Sequence, residues 1–376
     1  MSTFDSGAAG QRWVLQLCHG YDGPFLDCAR QYAALFVGTA YKVCTVYLTG
    51  APCADVEAGS ASDEVVFLDY SSRDVRGLKL RAIRDIKRIT AARDFKLCIA
   101  HRFKPIYVAL LGSALPVIGV QHAFGVYQRR SRQLFVNCFR RRLTLLGVSD
   151  AVRDDMRASL PGWPLERITT LYNRIDIAAV QAGQYERSAA RDALALPQSA
   201  WIVGNVGRLH PDKDQATLIR GFAQALPALP EGSVLAIMGS GRLEAALKNL
   251  VGELGVSDSV RFLGQVANAR NYFKAFDVFA LSSDHEPFGM VLLEAMAAGT
   301  PLIGTACGGG REVVEGVGRL FPLGDAAALA HELVRQAVEP PEPLAQQRMA
   351  QRLLEDFSDA AVHRRFWALP QLAALS

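Results

Sequence analysis

The stretch DHEPFGMVLLEAMAAGTP, residues 284–301, sets Glu286 and Glu294 eight positions apart, with a Pro-Phe-Gly corner after the first. Pro287 suits a first helical position, where its missing N–H costs nothing. Residues 290–298 are good helix formers, and Gly299 and Pro301 end the run. This reading puts Glu294 about two turns inside a helix and Glu286 just before it. Eight residues at helical rise separate the two carboxylates by about 12 Å. Two carboxylates flanking one glycosidic bond need about 5–9 Å, so the pair does not fit a hydrolase. It fits two grips on a long polar ligand, with the free amides of a helix start between them as a seat for phosphate.

Around that stretch, short β-rich apolar runs alternate with helical patterns along the whole chain, which argues for parallel α/β construction. In the first half the expected strands are 13–18, 44–48, 65–68, 97–101, 117–121 and 144–148; in the second half they are 201–206, 234–238, 260–263, 278–281, 302–305 and 318–321. A chain of 376 residues exceeds one core, and six strands in each half predict two doubly wound domains. The expected division is an N-terminal domain over 1–177 and a C-terminal domain over 178–355. A last helix over about 356–376 follows a Pro-rich connector (339–343) and crosses back to the first domain.

Half the residues are hydrophobic and 21% are charged, the composition of a folded chain. The seven cysteines form no CxxC pair, lie mostly in apolar runs and read as reduced core thiols. The start MSTFDSGAAGQRW lacks the pattern of a secretory signal. The longest apolar run, 106–120, is broken by Pro116 and is too short to span a bilayer. The net charge of +4 conceals an asymmetry. Residues 73–142 carry 17 Lys and Arg against three acids, a local +14 that leaves −10 elsewhere. Much of it falls on an expected helix over 77–93, with Lys79, Arg81, Arg84, Lys87, Arg88 and Arg93, and on Arg129, Arg130, Arg132 and Arg140–Arg142.

Doubly wound sheets bind ligands at the carboxyl ends of their strands. Here the loops at those ends are glycine-rich and polar: HGYDG (19–23), GRLHPDKD (207–214), GSGR (239–242), SSDHEPFG (282–289) and CGGGRE (307–312). In the second loop Gly207 permits a tight exit, and Arg208 with Lys213 offers a fork and a point charge suited to a diphosphate. Asp212-Lys213-Asp214 matches DxD only nominally, and no histidine is spaced for zinc, so no metal is expected. Gly239 lets backbone approach a ligand. Gly309 and Gly310 precede an expected helix from Arg311, whose first amides could face a phosphate or a sugar hydroxyl. His19, His101 and His122 each end an apolar strand, and His122 is the candidate nearest a reaction centre. No GxGxxG opens either half, which argues against a dinucleotide oxidoreductase.

EPFGMVLLEAMAAGTP resembles the E-x7-E signature of retaining glycosyltransferases of the GT-B fold, specifically glycosyltransferase family 4. VGRLHPDKD, MGSG, RFLGQV and GGGREVVE reinforce it, and the general look is similar to bacterial lipopolysaccharide core and cell-surface polysaccharide transferases. The resemblance implies two Rossmann-like domains facing a cleft. It also implies a retaining, metal-independent transfer of a hexose or N-acetylhexosamine from a UDP- or GDP-linked sugar, with no cofactor. Arg208 and Lys213 would hold the diphosphate, Glu294 the ribose and Glu286 the hexose, with amides around Phe288, Gly289 and Met290 over sugar and phosphates. Gly309, Gly310 and Glu312 would lie beside them. His19, Gly20, Gly23 and His101 would border the acceptor, and His122 would lie close to the transferred sugar. The resemblance thus assigns catalysis to His122, Glu286, Arg208 and Lys213. The basic first half then predicts an anionic lipid-linked or oligosaccharide acceptor and a cytoplasmic enzyme, peripheral at the inner face of the membrane. A nucleic-acid partner is not expected, because no recognition motif accompanies the basic residues. Other readings are a sugar-nucleotide epimerase on the same fold and a non-catalytic partner in a carbohydrate pathway.

Overall fold

The computed structural model describes residues 10–339 and 343–373. The chain start, the centre of the Pro-rich connector and the expected end of the last helix lie outside the described residues. Two compact units emerge, one running to Leu171 and resuming at His363, the other spanning Tyr172–Val362.

The first unit is built on a wholly parallel sheet of β1 (Arg12–Cys18), β2 (Tyr41–Tyr47), β3 (Glu64–Phe67), β4 (Asp94–His101), β5 (Val117–Gln121), β6 (Leu143–Gly147) and β7 (Ile168–Thr170). Their order is β3-β2-β1-β4-β5-β6-β7. Every residue of β5 and β6 is buried, as a parallel strand covered on both faces requires. The sequence expectation of six strands omitted β7, a three-residue edge strand, Ile-Thr-Thr, too short to give a periodic signal.

The second sheet comprises β8 (Ile202–Val206), β9 (Val234–Met238), β10 (Val260–Gly264), β11 (Val278–Leu281), β12 (Leu302–Thr305) and β13 (Arg319–Phe321), ordered β10-β9-β8-β11-β12-β13 and again wholly parallel. Helices Gln215–Ala225 and Ala326–Val338 bury Leu218, Phe222, Leu329 and Leu333 against it. The region around residues 177–199 is a pair of short helices, Ile177–Ala182 and Arg187–Ala193.

In each sheet the strand order reverses once, between β1 and β4 in the first and between β8 and β11 in the second. Loops leaving the carboxyl ends of those paired strands diverge and open a crevice.

Three local expectations are corrected. The basic helix is shorter, Leu80–Ala91, because Gly77 (φ 56°) and Lys79 (φ 54°) are left-handed and break the chain before it; Lys79 and Arg93 lie outside. The last helix is Asp359–Trp367, followed by a single 3₁₀ turn at Pro370–Leu372. The cysteines divide: Cys18, Cys44 and Cys98 are buried, whereas Cys53 and Cys138 are exposed. From His363 onward the chain packs on the first unit, with Phe366 edge-on to Phe36 and Trp367 Nε1 donating to the Leu35 carbonyl at 3.0 Å. No helix among the described residues is long and apolar enough to cross a membrane.

Candidate functional site

In the second unit the loops after β8, β9, β11 and β12 knit into one body. Leu209 is fully buried in the core, donates its N–H to the Ser240 carbonyl at 3.0 Å and accepts from Leu243 N–H at 3.2 Å. This plug fixes the backbone that carries Arg208. Gly239 sits where a Cβ would lie 1.9 Å from the Gly207 carbonyl oxygen, so it is glycine because two loops touch there.

Lys213 Nζ donates to Glu286 Oε2 at 2.5 Å, joining the loops on either side of the strand-order reversal. Both side chains are largely buried, and Ser283 Oγ reaches the same carboxylate oxygen at 3.4 Å. Asp284 N–H to the Asp212 carbonyl and Ser282 Oγ to the Lys213 carbonyl, at 3.1 and 2.9 Å, fasten the two loops further. Arg208 projects into solvent and pairs only loosely with Asp212, at 3.6 Å. Asp212 also bonds His210 Nδ1. Burial alone would raise its carboxyl pKa, but the His210 bond and the charges of Lys213 and Arg208 hold it below the ordinary value. Asp214 caps the helix Gln215–Ala225, so both acids of the DxD-like run have structural work.

The helix bearing Glu294 begins at Met290, not near Pro287, since Gly289 adopts φ 92° and precedes its first turn. Residues 286–289 are therefore loop, and Glu294 sits little more than one turn inside the helix. The axial spacing argued from a continuous helix does not apply. The glycine triplet is likewise inside its helix, Gly308–Val314, and does not precede Arg311. Its role is visible: Gly309 N–H donates to the Glu286 carbonyl at 2.8 Å, and a Cβ on Gly308 (φ 58°) would stand 2.6 Å from that oxygen. A Cβ on Gly310 would touch the Glu286 side chain at 3.4 Å. The triplet clears space for Glu286. Glu312, on the same helix, offers its carbonyl to Arg352 at 2.8 Å. The Phe288 ring is buried between Tyr172 and Phe357, which leaves its backbone for any ligand contact.

In the first unit a pocket of about 240 Å³ lies at the carboxyl ends of β1, β4 and β5. His19 and His122 line it together with Arg102, Lys104 and Arg132, and Gly20 and Gly23 follow His19 in its loop. His101 is buried behind: its Nδ1 lies 3.2 Å from His122 Nε2, the rings stacked. Burial, aided by Arg102, pushes His122 down to about 4. Burial, then Lys104 and Arg102, bring His19 to about 4 against a smaller opposing effect of Asp22. Burial and His122 hold His101 well below its ordinary value. All three rings are thus neutral at pH 7. One of the two facing nitrogens, His101 Nδ1 or His122 Nε2, carries the shared proton and the other accepts it, so the contact holds the His122 ring against His101.

Arg102 and Lys104 were not singled out in the sequence. RFK directly after the strand end CIAH was the available signal, and the strained backbone of Arg102 (φ 73°) could not be read from it.

Residues 186–352 match the protein family described as Glycosyl transferases group 1. A D-inositol 3-phosphate glycosyltransferase of Saccharomonospora viridis is 34% identical over 228 residues, covering 57% of this chain and 49% of that protein. The lipopolysaccharide core biosynthesis glycosyltransferase LpsE of Rhizobium meliloti is 37% identical over 145 residues, covering 38% of this chain and 41% of its own length. The matched stretches thus span about half or less of these curated relatives. Among solved structures, a glycosyltransferase of Rickettsia africae superposes with TM-score 0.81 at 13% identity, covering 95% of this chain and 97% of that one. Anabaena HepE, solved with UDP and glucose, superposes with TM-score 0.73 at 22% identity, covering 95% of this chain and 98% of its own. At such identities the likeness speaks for the fold. The chain has the two-sheet GT-B fold, and its second unit carries a Glycosyl transferases group 1 domain.

Proposed function

We propose that this protein is a retaining, metal-independent glycosyltransferase of family 4. It would move a hexose or N-acetylhexosamine from a UDP- or GDP-linked sugar to an anionic glycolipid or lipopolysaccharide-core acceptor. The observation that carries this reading is the Lys213–Glu286 pair at the strand-order reversal, inside the segment that matches the transferase family. In it the donor diphosphate draws Lys213 and Arg208, which neutralise the departing nucleotide. Lys213 then releases Glu286 to the sugar hydroxyls, and Glu294 takes the ribose. Amides of residues 288–290 cover the donor. His122, neutral and fixed by His101, faces the transferred sugar, and His19 borders the acceptor. Attack comes from the face the nucleotide leaves, and the leaving phosphate takes the acceptor proton. The named activities of the curated relatives, on inositol phosphate and lipopolysaccharide core, support a polar or anionic acceptor.

The basic first half also supports docking at the inner face of the cytoplasmic membrane. Leu78 and Leu80 are exposed among Lys79, Arg81 and Arg84. Flotation with anionic vesicles across a salt series tests this, and indifference to lipid charge and salt would refute it.

Proton NMR of slow donor hydrolysis, with and without EDTA, tests the chemistry. The first sugar released should keep the donor's anomeric configuration at an EDTA-independent rate. Inversion, or loss of activity with EDTA, would overturn the reading.

A further inference from the structure

We propose that the first-unit pocket between His19, Arg102, Lys104, His122 and Arg132 holds a phosphomonoester dianion of the acceptor; this rests on the acceptor reading of that unit above. The pocket lies at the reversal of strand order between β1 and β4, where an open parallel sheet presents a ligand crevice. Its composition then names the ligand. Three cationic side chains line about 240 Å³ of space, and no carboxylate is among the described residues that line it.

Among the described residues none of these cations pairs with a carboxylate. Arg132 donates to the Val126 carbonyl at 2.9 Å and lies over Phe103, while the Arg102 guanidinium lies 4.8 Å from the Phe25 ring centre. Carbonyl and ring contacts orient a guanidinium and leave its charge uncompensated. Lys104 is held below its ordinary value by burial first, then by Arg102, Arg76 and Arg132; Lys79 is likewise lowered by burial and by Lys104 and Arg132. Positive charges gathered without a paired carboxylate repel one another, and an anion placed among them removes that repulsion.

The backbone is arranged to the same end. Arg102 holds φ 73°, a conformation a non-glycine residue adopts only under constraint, with its N–H bonded to the Val120 carbonyl at 2.8 Å. The strain places Arg102 at the head of the helix Phe103–Gly112, whose first three residues line the pocket, with the positive end of the helix dipole on that side. His19 also lines the pocket, and its ring is neutral at pH 7. A monoester dianion has the three terminal oxygens and double charge that two forks, one ammonium and two imidazoles can engage together. A neutral sugar hydroxyl would leave the cations uncompensated.

Titration of the full chain, labelled with 15N-histidine, tests this at pH 7.5. Glucose 6-phosphate should move the His19 and His122 resonances saturably, and glucose should not. Lys104→Gln should weaken that binding roughly tenfold or more, as loss of one charge-assisted contact predicts. Arg102→Gln should do likewise, and Lys248→Gln, on the other unit, should leave it unchanged. Vesicles containing phosphatidate form a second arm. Binding there alone would assign the phosphate to a lipid headgroup, and binding of glucose 6-phosphate to a soluble or oligosaccharide-borne group. UDP is titrated in parallel. Absence of saturable phosphate binding, equal response to glucose, or unchanged affinity in both variants overturns the assignment. If UDP still binds, the donor reading survives that failure; if it does not, both fall.

Discussion

Lys213 Nζ lies 2.5 Å from Glu286 Oε2, tying the loop after β8 to the loop after β11 across the point where the second sheet reverses its order. With so little solvent at either side chain, removing one partner leaves the other charge stranded. Breaking a buried pair costs about 3–5 kcal/mol, and residual solvent at Lys213 reduces this to roughly 2–3 kcal/mol for Lys213→Met. Urea denaturation of Lys213→Met, Glu286→Gln and the double variant measures it. The double variant should recover much of the single-variant loss, and simple additivity would mean the pair is not coupled.

The glutamates should separate kinetically. Glu294→Ala is expected to raise the donor Kd about tenfold, a loss of about 1.4 kcal/mol. Glu286→Ala should mainly lower kcat. Equal donor dissociation constants for wild type and Glu294→Ala would refute the first expectation.

Gly308 has φ 58°, and a Cβ there would collide with the Glu286 carbonyl. Gly308→Ala should therefore destabilise by about 1–3 kcal/mol and depress turnover. Gly252, with open space around it in the helix Glu244–Glu253, offers the contrast. Gly252→Ala should stabilise by up to about 1 kcal/mol without touching activity. Equal effects at the two sites would show that the triplet does not serve Glu286.

Stability should fall in mild acid. His19 and His122 move from 6.5 to about 4 on folding, so the unfolded chain binds more protons between those values. Their contribution is fully present above pH 6.5 and is lost as pH falls toward 4. Urea midpoints at pH 7.5 and pH 5 should differ less in His122→Asn than in wild type. An unchanged difference would mean that His122 does not titrate in this window.

Much of this was legible because parallel strands buried on both faces write themselves as continuous apolar runs. The bounds 117–121, 234–238, 278–281 and 302–305 coincide with β5, β9, β11 and β12. The convergence of His19 and His122 followed from strand ends alone. What escaped depends on contacts between distant segments. Nothing local reveals that Gly239 abuts Gly207, that Leu209 plugs the core, or that the glycine triplet belongs to Glu286. The helix start was misplaced because Pro287 is acceptable at a first helical position, whereas the backbone at Gly289 decides where the turn begins. Arg102 stayed hidden because its strain is imposed by pairing with β5, not by its neighbours in sequence.

The central claim is a nucleotide-sugar site built around Lys213, Glu286 and Glu294, and ligand-induced stabilisation tests it most directly. Thermal unfolding of wild type and Glu294→Ala would be followed with UDP, GDP, ADP, UDP-glucose, UDP-N-acetylglucosamine, UDP-galactose and GDP-mannose, with and without EDTA. The account predicts a rise in midpoint selective for one base, insensitive to EDTA and diminished in Glu294→Ala. No shift with any of these ligands, or a shift that Glu294→Ala leaves intact, would contradict it.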